Sequence, residues 1–320
     1  MSKKITLIVL GEPYSTFSEI IGKYFSKNKV KNKIILIGNV DLLKDQLKKL
    51  NLNFFLNEIA NKNEAKIKKV NIININFKYK KVFAKISPKS KNYIENCFKK
   101  SLEILKSNSK KNYVLINGPV SKKSFLDKKF FGITEYLSNK TGSKKEVMLI
   151  YNDKLSVSPL TTHIPLKFVS KNINRKKIYN NVLKINEFYN KILNKKARFA
   201  ILGLNPHCET TDKFSEEEKI ITPAIKILKK RGLNIDGPFS ADTFFLKNNF
   251  ENYNVVIGMY HDQVLTPIKT IFNFDAINIT IGLPFIRISP DHGPNSIMLG
   301  KKKSDPSSFK YAIKFINKLK

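Results

Sequence analysis

The chain has 320 residues, enough for two lobes that each bury a core, and a 42% hydrophobic content ordinary for a globular protein. Its 59 basic and 25 acidic residues give a net charge of +34. The lysines run along the whole length, however, and no basic block is interleaved with aromatic side chains, so a specific nucleic-acid groove is not expected. The charge reads as a Lys-, Asn- and Ile-rich coding bias that also speeds encounter with an anionic substrate. Cys97 and Cys208 lie far apart and make neither a CxxC nor a disulfide framework. The apolar stretch before Gly11-Glu12-Pro13 is too short for a signal-peptide core, and no run reaches the ~20 residues of a membrane helix. A cytoplasmic protein with no membrane partner is expected.

In chain order, β-rich runs fall at 5–10, 33–38, 70–77, 113–118, 146–152, 198–204, 254–260 and 275–283. Helical spacing lies between them. In "KNYIENCFKKSLEILKS" Ile94, Cys97, Phe98, Leu102, Ile104 and Leu105 share a stripe. In "RKKIYNNVLKINEFYNKIL" Ile178, Val182, Ile185, Phe188 and Ile192 do the same, and 217–230 and 307–319 also carry the helical period. Several strands are unbroken apolar runs, as in strands covered on both faces. The alternation predicts an α/β fold with a mostly parallel sheet. No Pro/Gly/Ser-rich linker divides the chain, so two lobes would be joined by more than one crossing. The Lys/Asn-rich stretches at 59–69 and 105–112 read as loops or helix ends.

Of the four histidines, three share a local form. His163 in "SVSPLTTHIPL", His207 in "AILGLNPHCE" and His261 in "VVIGMYHDQ" each follow a β-like run at its carboxyl end. Ligand sites of open α/β sheets collect outside those ends. Any one of these alone reads as a structural histidine. Three in the same placement read as a shared divalent-metal site, and neutral imidazoles suit Zn²⁺, Co²⁺ or Ni²⁺. Asp242 in "GPFSADTFF" and Asp262 beside His261 are candidates to orient the imidazoles, with a loop acid or helix cap as the plain alternative.

The motifs "GITEYL", "TTHIPL", "LNPHCE", "GPFSADTFF", "MYHDQVLTPIK" and "INITIGLPFIRISPDHG" stand in this order and resemble the PdxA family of 4-hydroxythreonine-4-phosphate dehydrogenases of pyridoxal phosphate biosynthesis. The resemblance implies two α/β/α lobes with a cleft between them, akin to isocitrate dehydrogenases. The lobes are expected at 1–120 with 275–320, and at 121–274. It also implies a homodimer whose divalent metal (Zn, Mg or Co) is held by His163, His207 and His261, one of them from the neighbouring subunit. Substrate binding falls on Thr134, Lys269, Asn278 and Arg287, and Lys269 and Asp242 are expected to act in catalysis. The implied reaction is oxidation of a secondary alcohol of a small phosphorylated hydroxy acid by NAD or NADP, followed by decarboxylation. The cofactor-binding residues are not assigned, since no GxGxxG follows the first strand.

Four features depart from the family pattern. Ile133 stands where the family has a substrate-contacting histidine. The first loop, "GEPYSTFSEI", lacks the family's later glycines, and "CETTDKFSEEE" replaces a Gly/Glu-rich loop. "PNSIMLGKKKS" replaces a cofactor-associated stretch and keeps Gly300 and Lys301. These changes leave two alternatives beside the main reading: a dehydrogenase of another phosphorylated four-carbon acid, or a catalytically silent metal- and small-molecule-binding paralogue.

Overall fold

The computed structural model describes residues 4–106, 113–126, 130, 132–144, 146–208, 215–246, 249–273, 275–290 and 293–319. The chain forms two compact units, residues 1–146 with 282–320, and residues 147–281.

In the first unit the chain runs β1 (Ile5–Val9), α1 (Phe17–Phe25), β2 (Lys33–Gly38), α2 (Val40–Lys49), β3 (Leu56–Glu58), β4 (Val70–Asn74), α3 (Lys91–Lys106), β5 (Tyr113–Asn117), α4 (Lys122–Phe125) and α5 (Ile133–Thr141). The second unit contains β6 (Val147–Tyr151), β7 (Ser156–Thr161), α6 (Arg175–Phe188), β8 (Phe199–Leu202), α7 (Thr222–Lys230), β9 (Ile235–Phe239), α8 (Ala241–Phe244), β10 (Val255–Tyr260), α9 (His261–Phe272) and β11 (Ile277–Ile281). The chain then returns to the first unit with β12 (Ile286–Ser289) and α10 (Ser307–Lys318).

The strands of the first unit are ordered β3-β4-β2-β1-β5-β12, and every pairing among them is parallel. Leu7, Ile8 and Val9 are all fully buried, as the unbroken apolar run predicts for a strand covered on both faces. Leu7 and Val9 meet Ile94, Cys97 and Phe98 of α3 in one core cluster. Ile8 points the other way by strand alternation, the side on which Phe17 and Phe309 join α1 to α10 with rings 5.7 Å apart. All six stripe residues of α3 are buried, each contributing roughly 1.5–3 kcal/mol on burial where the side chain is a large apolar one. Asn39 caps α2, its side chain accepting from Leu42 N–H at 2.9 Å, a contact of about 1 kcal/mol.

The first unit runs to residue 146 rather than to 120 because α4 and α5 belong to its core. Phe125, Ile133, Tyr136 and Leu137 join the Phe98 cluster, and Phe125 stacks on Phe98 with centroids 5.9 Å apart. Phe285 joins the same cluster after the chain returns.

The second unit has the order β11-β6-β7-β10-β8-β9. Its four strands from β7 to β9 are parallel, while β6 and β11 run antiparallel to their neighbours. Val256 of the central β10 packs with Val264, Leu265 and Ile268 of α9 on one face. Ile178, Val182 and Ile185 of α6 and Leu228 of α7 are fully buried as well. The fold is therefore α/β with mostly parallel strands and helices on both faces. Strands β3, β7, β9 and β12 were not among the runs predicted in chain order: β3 has three residues, β7 (SVSPLT) enters only as the β-like run before His163, β9 carries an internal Gly-Pro, and β12 has four. The predicted strand at 70–77 ends at 74 and that at 198–204 ends at 202. Among the described residues no helix is long and apolar enough to cross a membrane.

Candidate functional site

Four adjacent parallel strands of the second unit end on chemically capable side chains. His163 follows β7, His261 follows β10, His207 follows β8 and Asp242 follows β9. Parallel pairing puts these four carboxyl ends side by side, with neighbouring strands about 4.8 Å apart. His163 and His261 are neighbours, their ring centroids 5.9 Å apart. His163 and His207 hold left-handed backbone conformations, φ 51° and 55°. Non-glycine residues there cost on the order of 1–2 kcal/mol, and such outliers gather at functional sites.

Carboxylates stand behind two of the three rings. Asp262 Oδ1 lies 2.7 Å from His261 Nδ1, so Nε2 is the nitrogen of that ring turned away from the carboxylate. Asp242 Oδ2 is 4.0 Å from His207 Nδ1. Asp242 does not cap α8; Ser240 occupies that position and its hydroxyl donates to Asp242 Oδ1 at 2.6 Å. That hydrogen bond, helped by His207, holds the Asp242 carboxyl below the usual carboxylate range. The donor set suits a divalent cation. Among the described residues of one chain, however, no three His, Cys, Asp or Glu side chains are grouped closely enough to hold one. A single copy offers the His163–His261 pair, with His207 beside Asp242.

Two residues of this region had no sequence signal of their own. Glu217, 2% exposed, accepts from the N–H groups of Leu204 and Asn205 at 2.7 and 2.9 Å and from Asn205 Nδ2 at 2.8 Å. Burial pushes its carboxyl up, but the donors from Asn205 and Leu204 outweigh burial and keep it below the ordinary value. It thereby anchors the backbone just before Pro206-His207. Gln263 of α9 bonds to both Met259 N–H and Gly203 O.

The substrate residues implied by the resemblance divide between the units. In the second, Lys269 lies on the exposed surface of α9, eight residues after His261 and so about 12 Å along the helix axis. Asn278 sits on β11 opposite Ile150, and its side-chain Oδ1 is buried with no hydrogen-bond partner. In the first, Arg287 of β12 is 3% exposed; its Nε donates to Asn117 Oδ1 at 2.8 Å and its Nη1 to Thr134 Oγ1 at 3.1 Å. Burial lowers the Arg287 pKa to about 10, with Glu135 pulling it back up, so the guanidinium stays charged at neutral pH. Asn117, another residue with no sequence signal, sets the plane of that guanidinium.

Ile133 is 8% exposed and is part of the Phe98 cluster. At this position the chain carries a core side chain instead of a polar contact. The first loop is filled in the same manner, with Tyr14 and Phe17 8% and 1% exposed. Gly11 keeps a positive φ of 74°, and a Cβ there would meet Pro119 O at 2.5 Å. Residues 209–214 of the "CETTDKFSEEE" loop and His292 lie outside the described residues.

The profile of the family described as pyridoxal phosphate biosynthetic protein PdxA matches residues 30–316. A 4-hydroxythreonine-4-phosphate dehydrogenase of a Sulfurihydrogenibium species is 36% identical over 321 residues, covering 98% of this chain and 97% of that one. A D-threonate 4-phosphate dehydrogenase of Salmonella typhimurium is 30% identical over 316 residues, 95% of this chain and 96% of that one. A solved structure of a 4-hydroxythreonine-4-phosphate dehydrogenase from Burkholderia phymatum superposes with a TM-score of 0.81 at 25% identity, covering 100% of this chain and 99% of that chain.

Proposed function

We propose, from the premise that this chain belongs to the PdxA family, that it oxidises the secondary alcohol of 4-hydroxythreonine 4-phosphate with NAD or NADP and that the resulting β-keto acid loses CO₂. The observation that carries the reading is the row of His163, His261, His207 and Asp242 at four neighbouring parallel strand ends. When bound, a divalent cation (Zn, Mg or Co) supplies Lewis acidity at the alcohol oxygen, and NAD or NADP supplies the hydride acceptor.

The chain's own residues do the rest. His163, His207 and His261 offer ring nitrogens to the cation, with the set completed across a homodimer. Asp262, 2.7 Å from Nδ1, holds the ring of His261 in one tautomer, and Asp242 stands 4.0 Å from His207 Nδ1. Asp242, ionised at neutral pH, takes the alcohol proton. Lys269, about 12 Å along α9 from His261, grips the phosphate at the far end of the substrate. Arg287, pre-aimed by Asn117, offers a planar fork to an anionic group, and Thr134 beside it adds a hydroxyl. Asn278 carries a buried acceptor suited to a donor on the substrate.

One observation favours a second substrate. Ile133 is core where the family has a substrate-contacting histidine, which removes a polar contact. A relative named a D-threonate 4-phosphate dehydrogenase matches over 95% of the chain. The second reading is thus the same chemistry on a threonate-type four-carbon phosphate.

The test is turnover of both phosphorylated acids with NAD⁺ and NADP⁺ in the presence of Zn²⁺, Mg²⁺ or Co²⁺, following reduced cofactor and released CO₂ together. Metal-dependent formation of both products with 4-hydroxythreonine 4-phosphate is expected. Preference for threonate 4-phosphate moves the assignment to the second reading. Saturable metal binding with no turnover of either acid overturns both and leaves a silent binding paralogue.

A further inference from the structure

One unbroken series of hydrogen bonds ties together the four strand ends that carry His163, His261, His207 and Asp242. Thr161 Oγ1 donates to Met259 O at 2.7 Å. Met259 N–H donates to Gln263 Oε1 at 2.6 Å, and Gln263 Nε2 donates to Gly203 O at 2.7 Å. Gly203 N–H donates to Phe239 O at 2.9 Å. The series therefore passes from β7 to β10, through a side chain of α9 to β8, and on to β9.

Its central member is the only side chain in the series that bridges two strands by itself. The parallel ladder between β10 and β8 pairs Val255–Ile257 with Phe199–Ile201 and extends no further. Beyond that point the Gln263 amide does the work of the ladder, one atom on each strand. Met259 lies two residues before His261, and Gly203 four before His207. The next two N–H groups after Gly203 are held by Glu217. The backbone approaching His207 is thus pinned at three successive residues.

Two glycines leave room for this arrangement. A Cβ on Gly258 would lie 3.0 Å from Gln263 Oε1 and 2.4 Å from Val264 Cγ1. A Cβ on Gly203 would lie 3.0 Å from Glu217 Oε1 and 2.6 Å from Cys208 Sγ. Both are cases of close approach, since neither glycine is among those with positive φ.

We propose that Gln263 is a positioning residue whose amide fixes the backbone leading into His261 and into His207, and through it the direction in which each of these histidines presents its ring to a divalent cation, whichever copy of the chain completes the ligand set. The proposal rests on the metal reading above. A general packing role would alter thermal stability alone. A positioning role also alters the cation site itself, because outer contacts of ligating residues commonly change metal affinity by about 10–100-fold.

The experiment titrates the full chain with Co²⁺ alone, without substrate or nicotinamide, and records calorimetric affinity and the visible absorption of the bound ion. Gln263→Met, close in shape but unable to bond to Met259 or Gly203, is expected to stay folded by circular dichroism, to bind Co²⁺ about 10–100-fold more weakly and to shift the absorption bands. Gln263→Glu keeps an acceptor for Met259 N–H, sets a carboxylate oxygen against Gly203 O and is expected to weaken Co²⁺ in the same direction. It carries the test if Gln263→Met does not fold. Wild-type affinity and bands in a folded variant overturn the proposal while leaving the metal reading intact. A wild-type chain that binds no Co²⁺ overturns the metal reading, and the proposal with it.

Discussion

Arg287 Nε donates to Asn117 Oδ1 at 2.8 Å, with the two side chains 3% and 4% exposed. They lie 170 residues apart in the chain and on strands β12 and β5, which pair in parallel. Removing the acceptor leaves a buried guanidinium with one fewer partner. Asn117→Ala is therefore expected to cost about 1.5–3 kcal/mol, the range for hydrogen bonds to charged groups. It should appear as a lower urea midpoint at unchanged m value. Thr134→Val, which removes a hydroxyl at 3.1 Å from Nη1, is expected to cost about 1 kcal/mol. If Arg287 holds an anionic substrate group, both changes raise KM more than they lower kcat.

Lys23 clamps the loop after Gly293 onto α1. Its Nζ reaches Lys302 O at 2.8 Å, Ser304 O at 2.7 Å and Glu19 Oε1 at 2.8 Å, while Ser304 N–H donates to Glu19 Oε1 at 2.7 Å. Glu19 is 1% exposed, so Lys23→Met strands a buried carboxylate. The lysine itself is partly solvated, which places the expected loss at about 2 kcal/mol, below the 3–5 kcal/mol of a fully buried pair. Limited proteolysis should show earlier cleavage at 293–305 in the variant. Equal cleavage rates with equal stability would remove the clamp from consideration.

Restoring the family's histidine at 133 is expected to harm this protein. Ile133 packs among Phe98, Phe125 and Tyr136, and an imidazole there desolvates a polar group without a partner. Ile133→His should lose roughly 1–3 kcal/mol. It should lower turnover only through the folded fraction. A variant that gains activity at wild-type stability would show that the side chain turns toward the ligand instead.

Glu217 gives a pH signature. Its carboxyl is held below the ordinary value by Asn205 and Leu204 despite burial. A depressed folded pKa contributes stability that is present above the unfolded value and is lost as pH falls through the folded one. Wild-type stability should thus fall from near pH 4.3, the unperturbed glutamate value, downward. Glu217→Gln should be less stable at pH 7 and should lose that part of the acid limb. Melting temperatures of both proteins from neutral to acid pH measure this, and parallel curves would contradict it.

Much of the fold was legible along the chain. The unbroken apolar runs of β1, β2 and β10 and the stripe of α3 follow directly from period and composition. Short strands such as β3 and β12 were not, because three or four residues carry too little pattern to separate from a loop. The unit boundary was displaced for a related reason. Whether Phe125 and Leu137 belong to one core or the next depends on which side chains fill the space around Phe98.

By itself the sequence determined which residue types stand at the ends of β7, β8 and β10, since a histidine after an apolar run is a local feature. Tertiary structure alone decided that these strands are neighbours in the order β7-β10-β8-β9, that Gln263 and Glu217 pin the backbone between them, and that Asn117 aims Arg287. The physical reason is that hydrogen bonds between residues 12 to 170 apart in the chain depend on how the strands are ordered and the loops between them packed. That order is chosen by burial of both sheet faces together, and no stretch of chain encodes it alone.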